Sequence, residues 1–169
     1  MLGLPQLLEE DVRVIDAALD ELLRKSDTDV ALIIDKGGPL LSQRGKYEQY
    51  DTMTMAALAA GSFCATEAIA ERVGETNFTT IYQQGDQCSM LVSSIDDTVL
   101  LIIIFRADLS AGAVKFYAKI ACTKVSVQLQ KARGRAPGTT LDLVSMNLPD
   151  AAADIFHKRP GSQDQANPG

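Results

Sequence analysis

Residues 51–75 read DTMTMAALAAGSFCATEAIAERVGE. Asp51 or Thr52 can cap a helix at the front, and Gly74 supplies a C-terminal glycine, so the stretch is expected to form one long helix. Leu58, Ala65, Ile69 and Val73 recur at helical spacing and are expected to form its core-facing stripe. Beside them run Ala57, Gly61, Cys64 and Ala68, every one small. A helix that only covered its own sheet would need the first line alone. Glycine in mid-helix costs about 1 kcal/mol relative to alanine, and the close approach of another backbone would offset that cost. The helix is therefore expected to be an interface, with a second copy of the chain as its partner.

The flanking sequence builds a sheet around this helix. Leu8, Val12, Ile15, Leu19 and Leu22/Leu23 share one face of an amphipathic helix over Leu7–Lys25, with acids crowding its first turns. VALII at 30–34 and Leu40–Gln43 read as strands, with Lys36-Gly37-Gly38 as the turn between them. After the long helix come three more strands, Phe78–Gln83, Cys88–Ile95 and Thr98–Phe105, joined through Gly85-Asp86 and Asp96-Asp97. The last of these, TVLLIIIF, is apolar on both faces and belongs in the middle of the sheet. A second long helix runs from about Ala111 to Arg133, capped by Asp108 or Ser110, with Val114, Ala118, Ala121, Val125 and Leu129 facing inward. The order α-β-β-α-β-β-β-α, with short turns within each strand group, predicts a five-stranded antiparallel sheet with helices on both faces. Domain boundaries follow from composition: a folded domain over 7–133, a Gly/Pro-containing linker over 134–146, a short helix over 147–159 and a disordered polar tail over 160–169.

The composition excludes several function classes. The chain has 169 residues, 46% of them hydrophobic, which suffices for one core. Its net charge is −6, which argues against nucleic acid as a partner. No uninterrupted apolar run approaches the roughly 20 residues of a bilayer span, so no integral membrane contact is expected, and no secretory signal is visible at the N-terminus. Cys64, Cys88 and Cys122 are widely spaced and are expected to be buried thiols in a reducing cytosol. The charge is uneven: residues 111–141 hold six bases and no acid, either the solvated face of a helix or a docking patch for an acidic protein or membrane surface.

Catalytic signatures are missing. Neither G-x-x-x-x-G-K-[ST] nor G-x-G-x-x-G occurs. Lys36-Gly37-Gly38 lies between two strands, whereas a phosphate cradle would open a helix. The single histidine, His157, lies near the C-terminus. Asp96-Asp97 reads as a hairpin turn. No catalytic residue, metal ligand or cofactor is expected.

The element order and its residues resemble a roadblock (dynein light chain–type) domain, with the closest likeness to the bacterial MglB group. The residues that carry the likeness are VALIIDKGGPLLSQRG at 30–45, the helix at 51–75, YQQGDQCSMLVSSIDDTVLLIIIF at 82–105, and the helix after Leu109-Ser110-Ala111-Gly112. The resemblance implies a homodimer in which the long second helices pair and the following strand continues the sheet across two subunits. It implies a cytoplasmic protein, with a place at a cell pole in polarity or motility, that binds a Ras-like small GTPase of the MglA type. Ala57, Gly61, Cys64, Ala68 and Arg72 would lie on the platform for self-association and GTPase docking. The group resembles allosteric activators of GTP hydrolysis that insert no arginine finger, so neither Arg72 nor Arg106 is expected to act as one. A short acidic and apolar segment near the C-terminus is also similar to that group. Leu148, Ile155 and Phe156 would there touch the GTPase, or the segment folds back or stays disordered. Two other readings remain open: a roadblock-type scaffold without effect on hydrolysis, and a small-molecule sensor.

Overall fold

The computed structural model describes residues 5–135. Its elements are α1 (Glu9–Ser26), β1 (Val30–Asp35), β2 (Leu40–Gly45), α2 (Thr52–Val73), β3 (Thr80–Gln84), β4 (Cys88–Ser94), β5 (Val99–Arg106) and α3 (Ala111–Arg133). The strands form one sheet in the order β2-β1-β5-β4-β3, antiparallel throughout. The element order along the chain, the antiparallel sheet and the layering are those expected from the sequence, with β5 in the centre. The segments expected over 147–159 and 160–169, with Leu148, Ile155, Phe156 and His157, lie outside the described residues.

Successive side chains of a strand point to opposite faces, and in β1 and β5 both faces are covered. Ala31, Ile33, Leu101 and Ile103 meet α1 and α3 through Ile15, Leu19, Leu22, Val114, Ala118, Ala121, Val125 and Leu129. Val30, Leu32, Ile34, Leu100, Ile102 and Ile104 meet α2 on the other face. That is why these two strands are continuous apolar runs.

Polar contacts fix the helices to one another. The buried Asp11 carboxylate accepts from the Leu8 N–H at 2.7 Å, closing the front of α1. It also accepts from the Gln128 amide of α3 at 2.6 Å. Glu21 accepts from Lys25 and from Lys124 of α3; these hydrogen bonds hold its carboxyl down at about 2. At the other end of α1, Gly45 of β2 is held at φ 95°, and a Cβ there would stand 2.1 Å from the Asp29 carbonyl oxygen. Only glycine fits that left-handed, crowded position.

Several expectations are corrected. Leu58, Ala65, Ile69 and Val73 do not face the core: all are exposed. Ala56, Ala59, Ala60, Phe63 and Ala70 are buried instead. The sheet below already presents bulky valine, leucine and isoleucine side chains. A helix lying over them fits closely only through small residues around one large filler, Phe63. The thiols are not buried either: Cys64 and Cys88 are exposed and Cys122 is half-buried. β3 begins at Thr80 instead of Phe78, and β2 runs on to Gly45.

Candidate functional site

The two ends of α2 are well defined. The Asp51 carboxylate accepts from the Thr54 N–H at 3.1 Å and from the Thr54 hydroxyl at 2.6 Å. At the far end the Gly74 N–H, in left-handed geometry at φ 79°, returns to the carbonyls of Ala70 and Glu71. Between these caps the helix rests on the sheet along one narrow line. A second anchor comes from the β1–β2 turn, where the Lys36 ammonium donates to Glu67 at 2.6 Å and lies 5.2 Å from the centre of the Phe63 ring.

The rest of α2 is open. Ala57, Gly61, Cys64 and Ala68 are all exposed, and so is Arg72 in the last turn. Alongside them Leu58 is 69% exposed, Ile69 55% and Val73 64%. The small stripe and the larger apolar residues therefore share one outward surface. Isolated apolar side chains on a surface are ordinary, but a contiguous apolar face of a 22-residue helix is not. By length and composition alone, α2 is apolar enough to cross a bilayer, yet it packs on the sheet through its alanine and Phe63 face. Gly61 is the sharpest point on this surface. A Cβ added there meets nothing within 4 Å, so nothing among the described residues requires glycine at a mid-helix position where it weakens the helix.

An open strand edge lies in the same subunit. Among the described residues β3 pairs only with β4, which leaves its other edge unpaired there. Edges of this kind are templates for pairing with another chain. Tyr82 of β3 stacks on Phe105 with ring centres 6.2 Å apart, which holds the strand against the sheet. Among the described residues, no group of three or more His, Cys, Asp or Glu side chains comes together in a metal-holding arrangement. Arg106 is engaged by Asp27 and Asp108, each at 3.2 Å.

Leu58, Ile69 and Val73 are the residues of this surface that spacing alone misassigned. Two apolar lines on one helix make helical periodicity ambiguous. A usable signal was the line Ala56, Ala59/Ala60, Phe63 and Ala70, which pairs small residues with the helix's one aromatic side chain.

Comparisons with known proteins converge on one family. Residues 14–105 match the Roadblock/LC7 domain. Among solved structures, the chain is similar to Myxococcus xanthus MglB at 28% identity, with a TM-score of 0.71 over 75% of this chain and 95% of that one. It is similar to an MglB with a tetrameric arrangement at 25% identity, with a TM-score of 0.73 over 78% of this chain and 99% of that one. The gliding protein MglB of Thermus thermophilus is 25% identical, with a TM-score of 0.71 over 78% of this chain and 99% of that one. Among curated proteins none matches. With this match, this sheet order and these structural neighbours, the chain belongs to the Roadblock/LC7 domain family and is MglB-like within it.

Proposed function

We propose that this protein is a homodimeric regulator that binds a Ras-like small GTPase of the MglA type and stimulates its GTP hydrolysis without an active site of its own. The observation that carries the reading is the uncovered outer face of α2, where Gly61 has no neighbour and Leu58, Ile69 and Val73 stand in solvent. A second copy pairing α2 against α2 covers part of that face and brings the two β3 edges together into one continuous sheet. The paired helices then form the platform for the GTPase, through Ala57, Gly61, Cys64, Ala68 and Arg72. MglB-like structure supports this choice of partner over other small GTPases. On this reading activation rearranges the GTPase's own catalytic loop, as the MglB likeness suggests; Arg106 is already bound by two carboxylates, and exposed Arg72 serves the platform as a docking residue. The segment over 147–159, through Leu148, Ile155 and Phe156, adds a second contact away from the platform. The regulator works in the cytoplasm, with polarity or motility at a cell pole as its setting.

The test is single-turnover GTP hydrolysis by the MglA-like GTPase of the same genome, with and without the full chain. Several-fold acceleration that is lost in Ala68→Arg is expected. Binding without acceleration assigns the chain to the scaffold class, and absence of binding overturns the choice of partner.

A further inference from the structure

The face of the sheet opposite α2 carries a different surface. α3 contains five bases and no acid, in a chain whose net charge is −6. Its buried line is Val114, Ala118, Ala121, Val125 and Leu129. Diametrically opposite, on the crest of the helix, stand Phe116, 62% exposed, Ile120 and Val127, 47% exposed. Val14 of the neighbouring α1 is exposed as well. By helical spacing, exposed Lys115 and Lys119 flank the crest on one side and exposed Lys124 and Lys131 on the other. Lys124 is bound to Glu21. Lys115, Lys119 and Lys131 form no ion pair among the described residues, whereas most of the other cations do.

We propose that this crest is a docking surface for an anionic phospholipid membrane, on which the protein lies peripherally with α3 parallel to the bilayer plane. An apolar line with lysines on both flanks is the arrangement of a helix seated at a membrane interface. The Phe116, Ile120 and Val127 side chains enter the boundary of the acyl region while the lysine stems carry their ammonium groups up to the phosphates. The relief favours a membrane over an acidic protein. Phe116 stands highest on the outer line of α3, while Ile120 and Val127 border grooves between α3 and α1 that Glu21 and Lys124 also line. A headgroup layer deforms around such uneven relief, where the fixed surface of a protein would need a matching shape. A recess of about 430 Å³ beside the crest adds a place for a headgroup. It is lined by Lys115, Lys119, Thr79, Thr80, Ser93, Ser94 and Cys122, with no acid. The surface lies on the α1–α3 side of the sheet and α2 on the other, so membrane contact leaves α2 open and does not rest on the GTPase reading.

The test is co-sedimentation of the full chain with vesicles of phosphatidylcholine alone and of phosphatidylcholine mixed with phosphatidylglycerol in equal parts. Binding to the anionic vesicles only, weakening as salt rises, is expected. Lys115→Glu with Lys119→Glu lowers the partition coefficient by more than about tenfold. Phe116→Ser lowers it several-fold at unchanged salt dependence, and circular dichroism of both variants matches the parent because all three side chains are exposed. Equal binding to both vesicle types, no binding to either, or binding unchanged in both variants overturns the proposal. Capture of a poly-glutamate peptide in place of the anionic vesicles gives the surface to an acidic protein and overturns it too.

Discussion

The Lys36 ammonium stands 2.6 Å from the Glu67 carboxylate, and both groups are largely shielded from solvent, with side chains 18% and 33% exposed. The pair ties the β1–β2 turn to the middle of α2, where Lys36 also lies over Phe63. Since α2 meets the sheet mainly through alanines, this tie and Phe63 set where the outer face sits. Lys36→Met is expected to lower stability by about 1 kcal/mol, the upper range for partly shielded pairs. Its clearer effect is local: amide hydrogen exchange within Thr52–Val73 should rise more than in α3. Equal protection in both proteins would show that the alanine line alone holds α2.

Gly61 separates subunit stability from association. A Cβ at this position meets nothing within 4 Å among the described residues, and alanine is favoured over glycine inside a helix by about 0.5–1 kcal/mol. Gly61→Ala should therefore raise the unfolding free energy at dilutions where the chain is monomeric. If α2 packs against a partner helix at this point, the same methyl group separates two backbones and weakens self-association. Chemical unfolding at low concentration and sedimentation equilibrium read the two effects separately. Stabilisation with unchanged association would move the self-association surface away from Gly61.

These two sites mark how far the sequence could be read. α3 was legible to the residue because it has one continuous inner line, from Val114 to Leu129, and Ser110 caps its front, accepting from the Ala113 N–H at 3.3 Å. The central place of β5 followed from its two apolar faces, whereas the full order β2-β1-β5-β4-β3 came only from the structure. α2 was legible as a helix, and the small residues Ala57, Gly61, Cys64 and Ala68 lie exposed, off the side that covers the sheet. Which side faced inward was not legible, because α2 is apolar nearly all round and periodicity gives two answers. The decision comes from the volume already supplied by Leu32, Ile34, Leu100 and Ile102, which lie far away in sequence. Lys36–Glu67 and Asp96–Arg133 were hidden for the same reason: each joins elements more than thirty residues apart.

The three thiols should differ sharply in reactivity. Burial pushes the Cys122 thiol up to about 12, so almost no thiolate is present near neutral pH and alkylation should be slow until the protein unfolds. Cys88 opens β4 in an exposed position, and Cys64 lies on the outer face of α2. Mass-spectrometric mapping after brief iodoacetamide treatment should find Cys88 modified rapidly at every protein concentration. If α2 pairs with a second copy, Cys64 should be modified as fast only when the chain is dilute. Concentration-independent modification of Cys64 would place it outside the self-association surface.

The joint between Asp96 and Arg133 gives the fold a dependence on acid. Arg133, at the end of α3, donates to the Asp96 carboxylate and to the Thr98 hydroxyl, each at 2.9 Å. Asp96 also accepts from the N–H groups of Thr98 and Val99, at 2.8 and 2.9 Å. Burial pushes the Asp96 carboxyl up, but the Arg133 hydrogen bond, the Thr98 contacts and the arginine charge together outweigh it. The carboxyl thus stays below its ordinary 3.8. A carboxylate depressed in the folded state stabilises the fold above its unfolded pKa, and that contribution disappears as pH falls through the folded value. The Arg133 Nε is buried without a hydrogen-bond partner, an unmet donor that reduces what the joint contributes. Arg133→Met should therefore cost about 1–2 kcal/mol at neutral pH, at and below the low end of the range for hydrogen bonds to charged groups because of that unmet donor. The difference between parent and variant should persist down to about pH 4 and shrink below it as the folded carboxyl takes up its proton. Urea unfolding of the two proteins across this range measures the difference directly. A gap that stays constant into strong acid would mean that Arg133 acts through its packing and its Thr98 contact, and that the Asp96 charge adds nothing to the fold.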